Sequence, residues 1–341
     1  MPPISDASPA FAAAQHGAVL CDLAPLAVLE VAGADAATFL QGQLSNDAVG
    51  LPADGCQYTS YNSPGGRMLA NFVLWRAGPD AGGGYRALLP ADIAEPVKKR
   101  LAMYVLRSKV TLADASPGLA RLGIGGPDAS AAVAAVLGGA PAPFAVLRAG
   151  AADVLALPGP RFVVVAPAAD GPGVAEALAA RAVPAAFPVW QWLAIRAGVP
   201  VVTAPVQDRF VAQTANWDVL GGVNFHKGCY TGQEIIARMH YLGRLKERLF
   251  AFHAAGAAVP PGARLFSSAF GDQPCGTVVN AAPAPGGGCD LLAVLQIAAA
   301  AGGDVHLDAP DGPRLEPVPL PYEIPPPAEP RGRSAPRPAG P

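Results

Sequence analysis

At 341 residues the chain is too long for one small core and suits two or three domains. Its formal net charge of −2 removes the general drive toward nucleic acid that a basic surplus supplies. Although 51% of the residues are hydrophobic, no run reaches the roughly 18 apolar residues of a membrane-spanning helix. The five cysteines form no C-x-x-C pair and suggest no disulfide framework.

In chain order, residues 1–15 are rich in Ala and Pro and carry no basic leader, so they are expected to be disordered and the protein cytoplasmic. Residues 28–31 predict a strand, and Asp35 the N-cap of a helix carrying Phe39, Leu40 and Leu44. Residues 57–62 and 68–75, joined by Ser63-Pro64-Gly65-Gly66, predict a hairpin. A strand over 85–89, a helix over 91–105 and a closing strand over 109–112 complete a first lobe of about residues 16–115. The rhythm repeats with strands near 119–124, 144–147, 154–157 and 161–165 and helices near 128–137 and after Pro172, giving a second lobe of about 116–245. Because the strands come in hairpin groups, the expected class is α+β, two lobes with mixed or antiparallel sheets, not a doubly wound fold. Gly123-x-Gly125-Gly126 has the wrong spacing for a dinucleotide fingerprint. From 246 to 324 short segments punctuated by Gly and Pro predict a small β-barrel, and residues 325–341 a disordered, Pro-rich tail.

The richest segment is Lys227-Gly228-Cys229-Tyr230-Thr231-Gly232-Gln233-Glu234. Thr231 and Glu234 have the spacing of a capping box, which would start a helix at Gly232 with Ile235, Met239 and Leu242 on one face. Arg238 and Arg244 are then left for solvent or a ligand. Cys229 lies just ahead of the positive end of that helix and two residues from Lys227, conditions that favour thiolate over thiol. The same residues also describe a capped loop around a buried structural cysteine, and both readings stay open. The five histidines lack metal-ligand spacing, so no metal site is expected, and no serine sits in a G-x-S-x-G elbow. Arg238, Arg244, Lys246 and Arg248 form a basic run that reads as a solvated face or a contact for an acidic group.

The octapeptide 227–234 is similar to the signature of the YgfZ-type folate-binding proteins, relatives of the glycine cleavage T-proteins, which are aminomethyltransferases. Phe39-Leu40-Gln41-Gly42-Gln43-Leu44-Ser45-Asn46-Asp47, Tyr104-x-x-x-Ser108-Lys109-Val110, Ala197-Gly198-Val199-Pro200 and Leu315-Glu316-Pro317 accompany it in family order, over about residues 20–324. The resemblance implies a cloverleaf of lobes around a central hole that holds tetrahydrofolate, built by residues 16–245 and closed by the C-terminal β-barrel. It implies folate contact at Trp190, with Asn62, Gln213, Gln233, Glu234 and Arg238 as further candidates, and a reactive thiol at Cys229 beside Lys227. It also implies a role in supporting iron–sulfur client proteins, including tRNA-modification enzymes; the lack of a long apolar run leaves no membrane partner expected.

Two departures from the family pattern bear on activity. Aminomethyltransferases carry an acidic pair shortly after the stretch resembling Gly65-Gly66, where this chain has Ala70 and Asn71. An amide cannot exchange a proton as a carboxylate does, so the chain is not expected to be an aminomethyltransferase. Relatives often have Glu where Arg196 stands, and Arg, a donor only, cannot hold the amino edge of a pterin. The alternatives are a folate-dependent one-carbon transferase or demethylase, and an RNA- or protein-binding module with a vestigial folate site.

Overall fold

The computed structural model describes residues 9–78, 84–241, 245–256 and 258–325. Residues 9–15, expected to be disordered, instead belong to helix α1 (Pro9–His16). Its Phe11, 2% exposed, meets Trp192 edge-on with ring centroids 5.6 Å apart. A segment too short to be helical alone is held by burying Ala10, Phe11 and Ala14. Residues 1–8, and the expected tail beyond Pro325, lie outside the described residues.

There follow β1 (Val19–Asp22), β2 (Leu26–Ala32), α2 (Ala36–Gln43), β3 (Cys56–Asn62), β4 (Met68–Arg76), β5 (Tyr85–Pro90), α3 (Ala91–Ala102) and β6 (Thr111–Asp114). The order β3-β4-β5-β2-β6 makes one antiparallel sheet. The predicted hairpin is in register from Cys56 opposite Trp75, with a shift between Tyr61 and Asn62 beside the turn. Asp35 precedes α2 as expected, but its carboxylate accepts from the Lys109 N–H at 2.7 Å and does not cap the helix.

The next run is β7 (Leu119–Gly125), α4 (Ala129–Leu137), β8 (Val146–Ala149), β9 (Ala152–Leu157), β10 (Arg161–Pro167), α5 (Gly171–Ala179), β11 (Val183–Ala185) and α6 (Phe187–Arg196). Their sheet has the order β11-β1-β7-β10-β9-β8, so β1 leaves its neighbours in sequence and pairs antiparallel with β7 and parallel with β11. The reason lies in its burial on both faces. Val19 and Cys21 pack toward α6, Leu20 toward α4 and α5, and this second sheet is covered on both sides.

After α7 (Gln233–Tyr241), strands β12 (Glu247–Ala254), β13 (Arg264–Phe266), β14 (Gly276–Pro283) and β15 (Cys289–Gln296) lead to α8 (Ile297–Gly302), β16 (His306–Leu307) and β17 (Glu316–Val318). The third sheet, β16-β13-β14-β15-β12-β17, curls into a half-barrel. Helices α2 and α3 cover one face of the first sheet, and α4 and α5 one face of the second. The remaining faces of all three sheets, with α6, share one central core containing Val28, Trp75, Val163, Trp190, Val279 and Val294. This is the α+β arrangement of lobes around a common centre that the resemblance implied.

Candidate functional site

A cavity of about 340 Å³ opens where the three sheets meet. Helix α6 presents Phe187, Trp190, Gln191 and Ala194 to it, the i, i+3, i+4, i+7 set of one helical face. Leu26, Phe72 and Leu88 of the first sheet supply apolar wall, Trp217 and Asn280 come from the connecting segment and the third sheet, and Arg161 stands at the head of β10. Trp190 is held against the backbone of β7, because a Cβ at Gly123 would lie 2.7 Å from its ring. The volume and the apolar lining are those of a small-molecule site.

Three expectations about this region change. Asn71 does line the cavity, yet its Nδ2 donates to Pro200 O at 2.7 Å and its Oδ1 accepts from Val202 N–H at 2.8 Å. It is a staple between β4 and the segment after α6, and a carboxylate there would set an oxygen against the Pro200 carbonyl. Arg196 lies off the cavity-facing side of α6, with Nη1 4.0 Å from Asp290 Oδ2 on the third sheet, so it takes no position at a pterin edge. Arg248, read as part of a solvated basic run, is buried and paired bidentately with Asp218 at 2.7 and 3.2 Å. The interior has desolvated it, and the ion pair with a further bond to Gln213 O is what permits that. Leu242 and Arg244 lie outside the described residues.

The signature residues gather at a second place, against the hairpin turn of the first sheet. Gly232 has φ +81, and a Cβ there would come within 2.5 Å of Ser63 O; Gly66, at φ +72, would strike Ile235. Only glycine lets the loop and the turn approach this closely. Lys227 is turned into the loop, where its Nζ donates to Gln41 O at 2.6 Å and Leu44 O at 2.5 Å and lies 4.7 Å from the Tyr230 ring. It thus caps the carbonyl end of α2 and ties the signature to the first lobe. Burial pulls its ammonium down to about 8 against the opposing influence of Asp47, and burial pushes the Tyr230 phenol up to about 12.

The helix begins at Gln233, one residue later than expected, and the reciprocal bond comes from Gln233, whose Oε1 accepts from Tyr230 N–H at 3.3 Å. Glu234 is left exposed, because the positive φ of Gly232 moves the helix start beyond the reach of the Thr231 box. The buried face of α7 is set by Ile236, with Ile235 and Met239 half-buried and Arg238 exposed. Gln213 Nε2 donates to Ile236 O at 2.6 Å, while its Oε1 and the Nδ2 of Asn62 are buried without a partner among the described residues. Asn62 and Gln213 therefore adjoin the signature, not the cavity, and of the proposed ligand contacts Trp190 alone lines it. Tyr58 and Arg161 are among the polar lining groups that sequence reasoning did not select: Tyr58 lies in the mixed strand Cys56–Asn62 and Arg161 at the head of an apolar one, with no local motif around either.

Cys229 is exposed, whereas Cys21, Cys56, Cys275 and Cys289 are buried and burial raises their thiols, the first two to about 12. Iodoacetamide should consequently label Cys229 first in the native protein. Peptide mass spectrometry after short exposure checks this, and earlier labelling of any of the other four would contradict the placement. Among the described residues no group of three His, Cys, Asp or Glu side chains is arranged to hold a metal ion, and no helix is long and apolar enough to cross a membrane.

The sequence matches the family model for the GCVT N-terminal domain over residues 7–158. The tRNA-modifying protein YgfZ of Serratia proteamaculans is 34% identical over 271 residues, covering 77% of this chain and 80% of that protein. Its namesake in Edwardsiella ictaluri is 32% identical over 273 residues, covering 78% and 81%. The solved glycine cleavage system aminomethyltransferase T from Bartonella henselae is similar in fold, with a TM-score of 0.73 at 16% identity over 90% of this chain and 86% of that one.

Proposed function

The chain belongs to the YgfZ family, and from that membership we propose that it binds a reduced folate of the tetrahydrofolate type and supports tRNA modification. The observation that carries the reading is the apolar cavity walled by Trp190, an indole face on which a pterin stacks. The lining suits such a ligand: Thr203 Oγ1 is buried there without a partner among the described residues, and Arg161 and Tyr58 add polar groups to a largely apolar wall. When bound, the folate supplies a carrier for one-carbon units. Trp190 would hold its ring, while Asn62, Gln213, Gln233, Glu234 and Arg238 order the signature loop or meet the outer part of the ligand.

In this reading the protein works in the cytoplasm as an accessory factor for iron–sulfur client enzymes, including those that modify tRNA. Cys229 is its reactive thiol, and Lys227 fixes the loop that carries it. Residues 16–245, as lobes of about 16–115 and 116–245, form the folate-binding region, and 246–324 close it. Titration with tetrahydrofolate should quench tryptophan fluorescence saturably. No saturable change up to about millimolar ligand, a limit of roughly 4 kcal/mol in binding free energy, would defeat the reading.

A one-carbon transferase is favoured by one observation, the carboxylate of Asp92 in the cavity wall, but its Oδ2 already accepts from Ala204 N–H at 2.9 Å. We expect no aminomethyl transfer from a lipoyl carrier, and none from Asn71→Asp, whose new carboxylate would face Pro200 O. Turnover matching a T-protein assayed in parallel would restore the transferase reading.

A further inference from the structure

Arg161 is 3% exposed and lines the cavity, yet no carboxylate among the described residues lies within 4.0 Å of it. The contrast with the other deeply placed arginines is clear, since Arg248 is paired with Asp218 and Arg86 with Glu30 and Asp153. What Arg161 has are weak neutral acceptors. Nε and Nη2 donate to Pro158 O at 3.2 and 3.1 Å, Nη2 donates to the Tyr58 hydroxyl at 3.2 Å, and the guanidinium stands 5.7 Å from the centre of the Trp190 ring. Its Nη1 makes no hydrogen bond among the described residues. The Tyr58 hydroxyl, having accepted from Arg161, keeps its own hydrogen to donate, and burial holds that phenol protonated by raising it despite Arg161. Trp217, also in the lining, packs its indole against the Gly222 backbone, and its Nε1–H is buried without a partner among the described residues.

Buried charge without a counter-ion is expensive, and proteins keep it where a ligand completes the pair. We propose that Arg161 and Tyr58 form the recognition point for an anionic or carbonyl oxygen of the cavity ligand. That oxygen is either a carboxylate or the ring oxo group of a planar heterocycle stacked on Trp190. Arg161 is thus a specificity-determining residue: it rejects ligands that present a donor or a bare hydrocarbon edge at this end. The choice of probe rests on the folate reading; the demand for an acceptor oxygen rests on the unpaired guanidinium.

The test compares wild type, Arg161→Met and Arg161→Gln by calorimetric titration with tetrahydrofolate and with a tetrahydropterin lacking the benzoylglutamate tail, and by thermal unfolding without ligand. Met preserves the length and apolar contacts of the side chain. Both variants should bind tetrahydrofolate about 10- to 100-fold more weakly, the range for a lost hydrogen bond to a charged group. The ligand-free Met variant should unfold at the wild-type temperature or above it, since it sheds a buried charge. Equal loss for the tail-less pterin assigns the oxygen to the ring, and loss confined to tetrahydrofolate assigns it to the tail carboxylate. Affinity within twofold of wild type in either variant overturns the proposal. If wild type binds neither ligand, the folate reading falls; Arg161 is then judged by stability alone, a more stable Met variant supporting the assignment and a less stable one showing a structural arginine.

Discussion

Trp190→Ala should weaken tetrahydrofolate binding about 100-fold or more and cost about 3–5 kcal/mol of stability, the usual range for truncating a buried aromatic. Trp190 is 5% exposed, lies on the β7 backbone at Gly123, and carries Arg161 over its ring. Its loss would enlarge the cavity, remove the stacking face and strip the guanidinium of its cation–π partner. Trp190→Phe separates these effects, because a smaller ring still stacks and still faces Arg161. Its binding should fall by about tenfold or less, as a loss of roughly 1 kcal/mol of aromatic contact implies. Fluorescence is unsuitable once the reporter is removed, so calorimetry is the measurement. Unchanged affinity in the Ala variant would take Trp190 out of the ligand site.

Asp153→Ala should be as damaging to the fold, with no direct contact to the cavity. Asp153, on β9 of the second sheet and 4% exposed, accepts from Trp75 Nε1 at 2.8 Å and from Arg86 at 3.4 Å on the first sheet, and from Arg148 on β8. One carboxylate therefore bridges the two lobes, beside the backbone bonds Cys56 N–H to Phe144 O and Val146 N–H to Asp54 O. Removing it strands the Trp75 indole N–H, leaves Arg148 with carbonyl acceptors alone and leaves Arg86 with Glu30 as its one remaining carboxylate partner among the described residues, for an expected cost of about 3–5 kcal/mol. That is a large share of the roughly 5–15 kcal/mol by which a folded domain is stable. Asp153→Asn keeps an acceptor for Trp75 but loses the charge, and should fall between. Guanidinium chloride unfolding monitored by circular dichroism measures both. A shift of less than about 1 kcal/mol in the Ala variant, the size of an exposed ion pair, would mean that the lobes do not depend on this contact.

Such long-range contacts mark the limit of what was legible in the chain. The sequence by itself determined the features written in neighbouring residues: the hairpin around Ser63-Pro64-Gly65-Gly66, the helices beginning after Asp35 and Asp128, and the exclusion of a dinucleotide fold. It also marked 227–234 as the segment to watch, since glycine placement and helix-start chemistry operate within one turn. Tertiary structure decided the rest. Strand β1 belongs to the second sheet because both of its faces are apolar, and there α6 meets Val19 and Cys21 on one face while α4 and α5 meet Leu20 on the other. The residues 9–15 are helical because Trp192, far along the chain, gives Phe11 something to bury against. Arg196 and Arg248 look alike in sequence, but one reaches toward Asp290 half-exposed and the other is enclosed with Asp218. Asn71 and Arg161 acquire their meaning from Pro200, Val202, Tyr58 and the missing carboxylate, partners that no local pattern announces. Hydrogen bonds and charges inside a protein are settled by what the fold brings within about 3 Å, and that is a property of the assembled sheets, not of neighbouring residues.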